Sequence, residues 1–166
     1  NMQEETIDVV NDNNHVIGVE DKTKVSEKVL THRAVDVLLV NSKNEIFVHQ
    51  RSKAMDHHPL KWCLFVGGYV SSGENYEEAA YRELEEETRI KTDKLELTGN
   101  FRFKVEDDDF FGRFYKFVTD LNPTIQKEEI EKGLYVPISK LDEFVNNHRI
   151  KPSNLFIYNK FKDQIL

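Results

Sequence analysis

The chain has 166 residues, a length that suits one domain with a sizeable core. Its composition, 39% hydrophobic and 32% charged, is that of an ordinary globular protein, and no apolar run approaches the roughly 18–20 residues that span a bilayer. A formal net charge of −7 argues against a general nucleic-acid or anionic-membrane binder, which needs a basic footprint, but leaves room for a small anionic substrate where a divalent cation inverts the local charge.

The single cysteine, Cys63, excludes an internal disulfide and suits a reducing cytosol, so a cytoplasmic location is expected. No signal-peptide pattern opens the chain, and Asn1 ahead of Met2 reads as a residue left by tag removal. Thr6–Val10 and Val16–Val19 are predicted as a hairpin around Asn11-Asp12-Asn13-Asn14. Asp21 is placed to cap a short helix over Lys22–Leu30. Ala34–Val40 and Glu45–Arg51 read as strands joined by a turn, Ser52–Lys61 as a polar loop, and Trp62–Val70 as a buried strand. Glu74–Arg89 reads as the main helix. Leu95–Val105 and Phe111–Thr119 form an antiparallel pair around the acidic Glu106-Asp107-Asp108-Asp109. Gly133–Val136 is a short strand, Ser139 caps a helix to about Asn147, and Pro152–Ile165 is a last helix. Mixed strands with few, separated helices predict a layered α/β fold and not a βαβ series.

The chemistry concentrates on the main helix. At about 100° per residue, Tyr76, Ala79, Ala80, Leu84 and Ile90 share one face, which should pack on the sheet. Glu83, Glu86 and Glu87 fall on the same side, while Glu77, Glu78 and Glu85 point away and can pair with Arg82 and Arg89 at i,i+4. Like charges at spacings i, i+3 and i+4 repel, and burial raises the cost. A hard divalent cation resolves that arrangement, because carboxylate oxygens are the preferred ligands of Mg²⁺ or Mn²⁺. Gly67, Gly68 and Gly73 lead into the helix and let backbone approach a ligand closely. Exposed N–H groups at a helix start also suit phosphate oxygens.

These residues resemble the signature of the Nudix hydrolases, G-x5-E-x7-R-E-U-x-E-E-x-G-U with U aliphatic. Gly68, Glu74, Arg82, Glu83, Leu84, Glu86, Glu87 and Ile90 match in register, and Arg89 stands where the family has its late glycine. The resemblance implies a single Nudix domain over residues 2–166, an α/β/α sandwich with a mixed central sheet. It implies that Glu83, Glu86 and Glu87 hold Mg²⁺ or Mn²⁺, that Glu74 and Arg82 brace the loop against the helix, and that the backbone of Gly67 and Gly68 lies near the phosphates. The reaction implied is hydrolysis of a diphosphate linkage in a nucleoside diphosphate derivative or related small molecule. A homodimer is expected by analogy with the family; a membrane or a specific nucleic-acid partner is not.

A longer resemblance points to the Nudix branch near isopentenyl-diphosphate isomerase, carried by Glu5–Val19, His32-Arg33-Ala34 and Glu45–Arg51. That isomerase has a cysteine five residues after a tryptophan and a histidine two further on. After Trp62 those positions hold Gly67 and Tyr69, and the histidine expected seven residues before His32 is Val25. The intact signature with the missing cysteine therefore favours hydrolysis over isomerisation, and over a third possibility, a non-catalytic nucleotide sensor. Glu128 and Glu129 precede a segment resembling the family's E-x5-W-U-P/S, in which Glu129 is a further metal ligand or general base. Arg51 resembles a phosphate-contacting arginine, and guanidinium suits bidentate phosphate contact. His57 and His58 read as exposed loop residues, Phe110 and Phe111 as packing residues, Cys63 as buried strand packing, and Lys22, Lys24, Lys28 and Arg33 as surface.

Overall fold

The computed structural model describes residues 5–166. Asn1 and Met2, read as a tag remnant and the domain start, lie outside the described residues. The first hairpin forms as expected, β1 (Thr6–Val10) pairing antiparallel with β2 (Val16–Asp21). Asn11 makes its turn: the side-chain oxygen accepts from the N–H of Asn13 at 2.9 Å and of His15 at 3.0 Å. Helix α1 (Lys22–Glu27) is shorter than expected. Asp21 stands at its N-cap without a side-chain cap bond, and Val29 takes a left-handed backbone (φ 53°) that turns the chain out of the helix.

The main sheet is built around β3 (His32–Val40). β3 runs parallel to β8 (Asp108–Val118), and β8 pairs antiparallel with β7 (Glu96–Val105). β8 starts at Asp108, so the acidic loop between these strands shrinks to a turn at Glu106-Asp107. On the other edge β4 (Glu45–Arg51) meets β3 at one pair, Val40↔Ile46, after which the two strands part. β6 (Val66–Tyr69) follows β3 along one arm of this fork. β5 (Trp62–Cys63) and β9 (Ile130–Pro137) follow β4 along the other. The single strand expected over Trp62–Val70 is therefore two. Its break has a local cause: the N–H groups of Leu64 and Phe65 both donate to Asn154 Oδ1, at 2.8 and 3.2 Å, and so are withheld from a strand ladder.

Strand alternation sorts the apolar residues between two layers. Val35, Val37 and Leu39 face α2 (Tyr76–Thr88) with Ala79, Ala80 and Leu84. Ala34, Leu38 and Val40 face α3 (Leu141–Asn147) and α4 (Pro152–Ile165) with Leu141, Ile157 and Tyr158. Phe114, Leu84 and Ile157 are fully buried, each such side chain stabilising the fold by about 1.5–3 kcal/mol. The result is the α/β/α sandwich with a mixed sheet. Ser139 does not cap α3; it lies inside a 3₁₀ turn over Ile138–Lys140 that precedes it. No helix among the described residues is long and apolar enough to cross a membrane.

Candidate active site

Helix α2 begins two residues later than expected, at Tyr76 and not Glu74. Asn75 is the N-cap: its side chain accepts from the Glu78 N–H at 2.8 Å, and Glu78 Oε1 accepts from the Asn75 N–H at 3.0 Å. This reciprocal cap leaves Glu74 outside the helix, free to turn back on Arg82. Arg82 Nε donates to Glu74 Oε2 at 2.7 Å and Nη2 to Oε1 at 2.8 Å, a bidentate pair. Burial pushes the Glu74 carboxyl up, but the bonds from Arg82 and the Ser71 N–H outweigh it and hold the group below the usual carboxylate range. Arg82 also donates to the Tyr69 carbonyl at 3.0 Å, so the brace between loop and helix forms as expected. The i,i+4 pairs expected on the outer face do not form. Glu78 is committed to the cap, and Arg89 makes no ion pair among the described residues.

The three inner glutamates lie on a gradient of burial instead of sharing one buried face. Glu83 is 8% exposed, Glu87 is half-buried, and the Glu86 side chain is 57% exposed. Gly68 makes room for Glu83: a Cβ at Gly68 would lie 2.6 Å from the Glu83 carboxylate. The Gly67 N–H donates to Glu87 Oε2 at 3.0 Å, and a Cβ there would overlap the Val35 carbonyl. Burial lifts Glu83 to about 7 against the pull of Arg82. Burial and the neighbouring Glu83 push Glu87 well above the carboxylate range. Two crowded carboxyl groups on one helix face, whose burial outweighs the pull of Arg82, Lys22 and Lys151, form a donor set suited to Mg²⁺ or Mn²⁺. As they stand, Arg82 Nη1 occupies Glu83 (2.9 Å) and Glu86 (3.2 Å), and among the described residues no three acidic, His or Cys side chains converge on one point.

These glutamates form one wall of a cleft of about 800 Å³. Arg51 lines it as well, its Nε donating to the His57 carbonyl at 2.9 Å. Glu129 stands exposed at the rim, where its carbonyl accepts from the Ser52 N–H at 2.8 Å. The fold thus brings together Gly67, Gly68, Glu83, Glu86, Glu87, Arg51 and Glu129. His57 and His58 also line it, which the loop reading did not anticipate. Burial and nearby cations push His58 down to about 4, so it is neutral. Phe110 is buried among Phe101 and Phe103, and Phe111 lies beneath the Arg102 guanidinium at 4.1 Å; both pack as expected. His32 is buried, with Nδ1 on the Leu30 carbonyl at 2.9 Å and Nε2 4.0 Å from Asp108. Cys63 is buried, as expected of a strand residue, and lines the inner end of the cleft.

Three cleft residues escaped the sequence reading. Lys22, taken as surface, lines the cleft and pairs with Glu5 at 3.4 Å. Asp36 lies mid-strand in β3 and is pushed up to about 8 by burial. A charged residue interrupting an otherwise apolar buried strand was the available signal. Lys151, just before the proline that opens α4, carries no motif.

Arg89 ends α2 in the left-handed conformation (φ 63°, ψ 13°), with its N–H on the Glu85 carbonyl at 2.8 Å. The helix therefore stops as it would at a glycine.

Comparison with known proteins agrees with this geometry. The NUDIX domain profile matches residues 30–155. An uncharacterised Nudix hydrolase of Yersinia pestis is 33% identical over 144 residues, covering 84% of this chain and 79% of that protein. A Nudix hydrolase of Deinococcus radiodurans is 30% identical over 135 residues, covering 80% and 78%. The crystal structure of DR0079 from the same organism superposes with a TM-score of 0.72 at 28% identity, covering 89% of this chain and 93% of that one. A family profile spanning most of the chain, relatives that share the Nudix hydrolase description and a common fold give one conclusion: this chain belongs to the NUDIX domain family and is a Nudix hydrolase.

Proposed function

We propose that residues 2–166 act as one domain that hydrolyses a diphosphate linkage in a nucleoside diphosphate derivative or related small molecule, with Mg²⁺ or Mn²⁺ held by Glu83, Glu86 and Glu87. The observation that carries this reading is that the α2 carboxylates and Arg51 line one cleft. A bound divalent cation supplies charge neutralisation on the phosphates and acidifies the attacking water. Arg51 holds a phosphate oxygen through the guanidinium nitrogens not tied to His57, and the Gly67-Gly68 backbone lets the diphosphate approach α2 closely. Glu129 at the rim, or an oxygen of Glu86 or Glu87, accepts the proton of the attacking water. Glu74 and Arg82 position Glu83 and do not touch the substrate.

The isomerase-like reading is weaker on this geometry. Gly67 and Tyr69 occupy the positions of its cysteine and histidine, and the one thiol, Cys63, is 4% exposed. The cytosol and a homodimer complete the reading, the first supported by the single free cysteine, the second by analogy with the family alone.

The test is a panel of nucleotide sugars, dinucleotides, NADH, CoA and isopentenyl diphosphate, each with Mg²⁺. Release of phosphate or a nucleoside monophosphate is expected; double-bond migration without phosphate release would sink the proposal. On the substrate found, Glu86→Gln and Glu87→Gln should each lower turnover by roughly 10²-fold or more with the fold intact, and unchanged kinetics at saturating Mg²⁺ would contradict the ligand assignment.

A further inference from the structure

The fork between β3 and β4 opens at the inner end of the cleft into a chamber of about 60 Å³, room for a few waters or one phosphoryl-sized group. Helix α4 points its first turn into this chamber, with Lys151 and Ser153 among the lining residues. The Lys151 backbone is fixed on both sides: its N–H donates to the Trp62 carbonyl at 2.8 Å, and its carbonyl accepts from the Leu155 N–H at 3.0 Å. Its ammonium makes no ion pair or hydrogen bond among the described residues, although Asp36, Glu87 and Asp108 line the same chamber, all three carboxyl groups pushed above the usual carboxylate range by burial. The first N–H groups of a helix lack intrahelical acceptors and carry the positive end of the dipole, and no side chain caps this start.

An independent feature points to a ligand here. His49 lines the chamber, is 4% exposed, and its Nδ1 has no hydrogen-bond partner among the described residues. A buried ring nitrogen left unpaired is costly unless something from outside completes it. Arg51 shares the chamber, with only its Nε committed, to the His57 carbonyl.

We propose that Lys151, Arg51, His49 and the first turn of α4 form a phosphate-binding subsite at the inner end of the cleft, beside Glu87. The subsite takes the phosphoryl group that the α2 carboxylates and their cation do not hold. It rests on the reading of the cleft as a diphosphate hydrolase site and adds to it a second grip on the substrate, built from the opposite layer of the sandwich. Lys151 supplies the charge, α4 the backbone donors, and the narrow chamber excludes larger groups.

The test is titration of inorganic phosphate into the full chain, followed by calorimetry and by the fluorescence of Trp62, the chain's one tryptophan, whose carbonyl holds Lys151. Wild type should bind phosphate. Lys151→Met should weaken binding about tenfold or more, and Lys151→Arg should stay within about threefold of wild type, since it keeps the charge. The amide resonances of Ser153 and Asn154 in the wild-type chain should move as phosphate is added, a readout independent of how any variant folds. The proposal is overturned if wild type fails to bind phosphate, if Lys151→Met binds it as tightly, or if those amides stay still. None of these results touches the Glu86→Gln turnover measurement, so the subsite and the hydrolase reading fail separately.

Discussion

Replacing Arg89 with glycine should stabilise the protein by about 0.5–1 kcal/mol, because the arginine sits in a backbone conformation that its own Cβ opposes. Arg89 has φ 63° and ψ 13°. A left-handed L-residue costs about 1–2 kcal/mol, and glycine removes that cost while giving back about 0.5–1 kcal/mol through its greater freedom in the unfolded chain. Little else is lost, because the side chain is exposed and makes no ion pair among the described residues. The left-handed cap itself survives, since it depends on the backbone bond to the Glu85 carbonyl. For a chain of this size the gain corresponds to a rise in Tm of about 1–3 °C. Thermal and urea denaturation in the presence of EDTA would measure it, with an unchanged urea m-value showing that stability alone has moved. Arg89→Ala is the control: it removes the guanidinium but keeps the Cβ, and should stay within about 0.5 kcal/mol of wild type. A glycine variant no more stable than the alanine variant would refute the strain argument.

The two glycines ahead of α2 should separate folding from chemistry. At Gly68 the atoms nearest an added Cβ are the side-chain end of Glu83 and not backbone, so Gly68→Ala should fold and melt closer to wild type than Gly67→Ala while turnover falls roughly tenfold to a hundredfold as the carboxylate is displaced. At Gly67 the Cβ meets the Val35 backbone, so Gly67→Ala should lose about 1–3 kcal/mol of stability; equal melting of the two variants would contradict both assignments. The metal-free chain should also lose stability as pH rises from 6.5 to 8.5. Burial holds Glu83 at about 7 against an ordinary 4.5, and Asp36 at about 8 against 3.8. Each group stays protonated in the fold at pH values where the unfolded chain has already ionised it, so its stabilising effect is full below the ordinary value and lost as pH rises through the folded one. His49, pushed down to about 3 by burial, acts in the opposite direction but chiefly below its ordinary 6.5, outside this window. Mg²⁺ should raise Tm most at the alkaline end, and Glu83→Gln should flatten the metal-free slope. A pH-independent Tm in EDTA, or a Mg²⁺ effect unchanged in Glu83→Gln, would contradict the reading.

Local signals were legible where the chain writes its own geometry. The Asn11 turn, the alternation of β3, the apolar stripe of α2 and the Pro152 helix start each follow from residues close in sequence. Most strand and helix positions were readable for that reason, as was the set Glu83, Glu86, Glu87 on one helix. Boundaries failed where distant residues intervened. Asn154 splits the Trp62–Val70 segment from 90 residues away. The start of α2 shifted for a local reason: Asn75, by taking the cap with Glu78, frees Glu74 for Arg82. Of the i,i+4 pairs expected on the outer face, Glu78 is taken by the local cap with Asn75, and Arg89 makes no ion pair among the described residues.

Arg89 and Lys151 mark the division between what sequence and tertiary structure decide. The sequence by itself determined the family signature and the carboxylate spacing, because these depend on residues within a few helical turns of one another. How α2 ends was decided by the fold: Arg89, standing where the family has a glycine, takes the left-handed backbone itself. Only the tertiary structure decided which cations face those carboxylates. Arg51, Lys22 and Lys151 come from three separate elements and meet because β3 and β4 part after one pair and leave an opening into which α4 points. Charges brought together by sheet topology leave no periodic trace along the chain, so their meeting is set by the packing of the layers and not by local pattern.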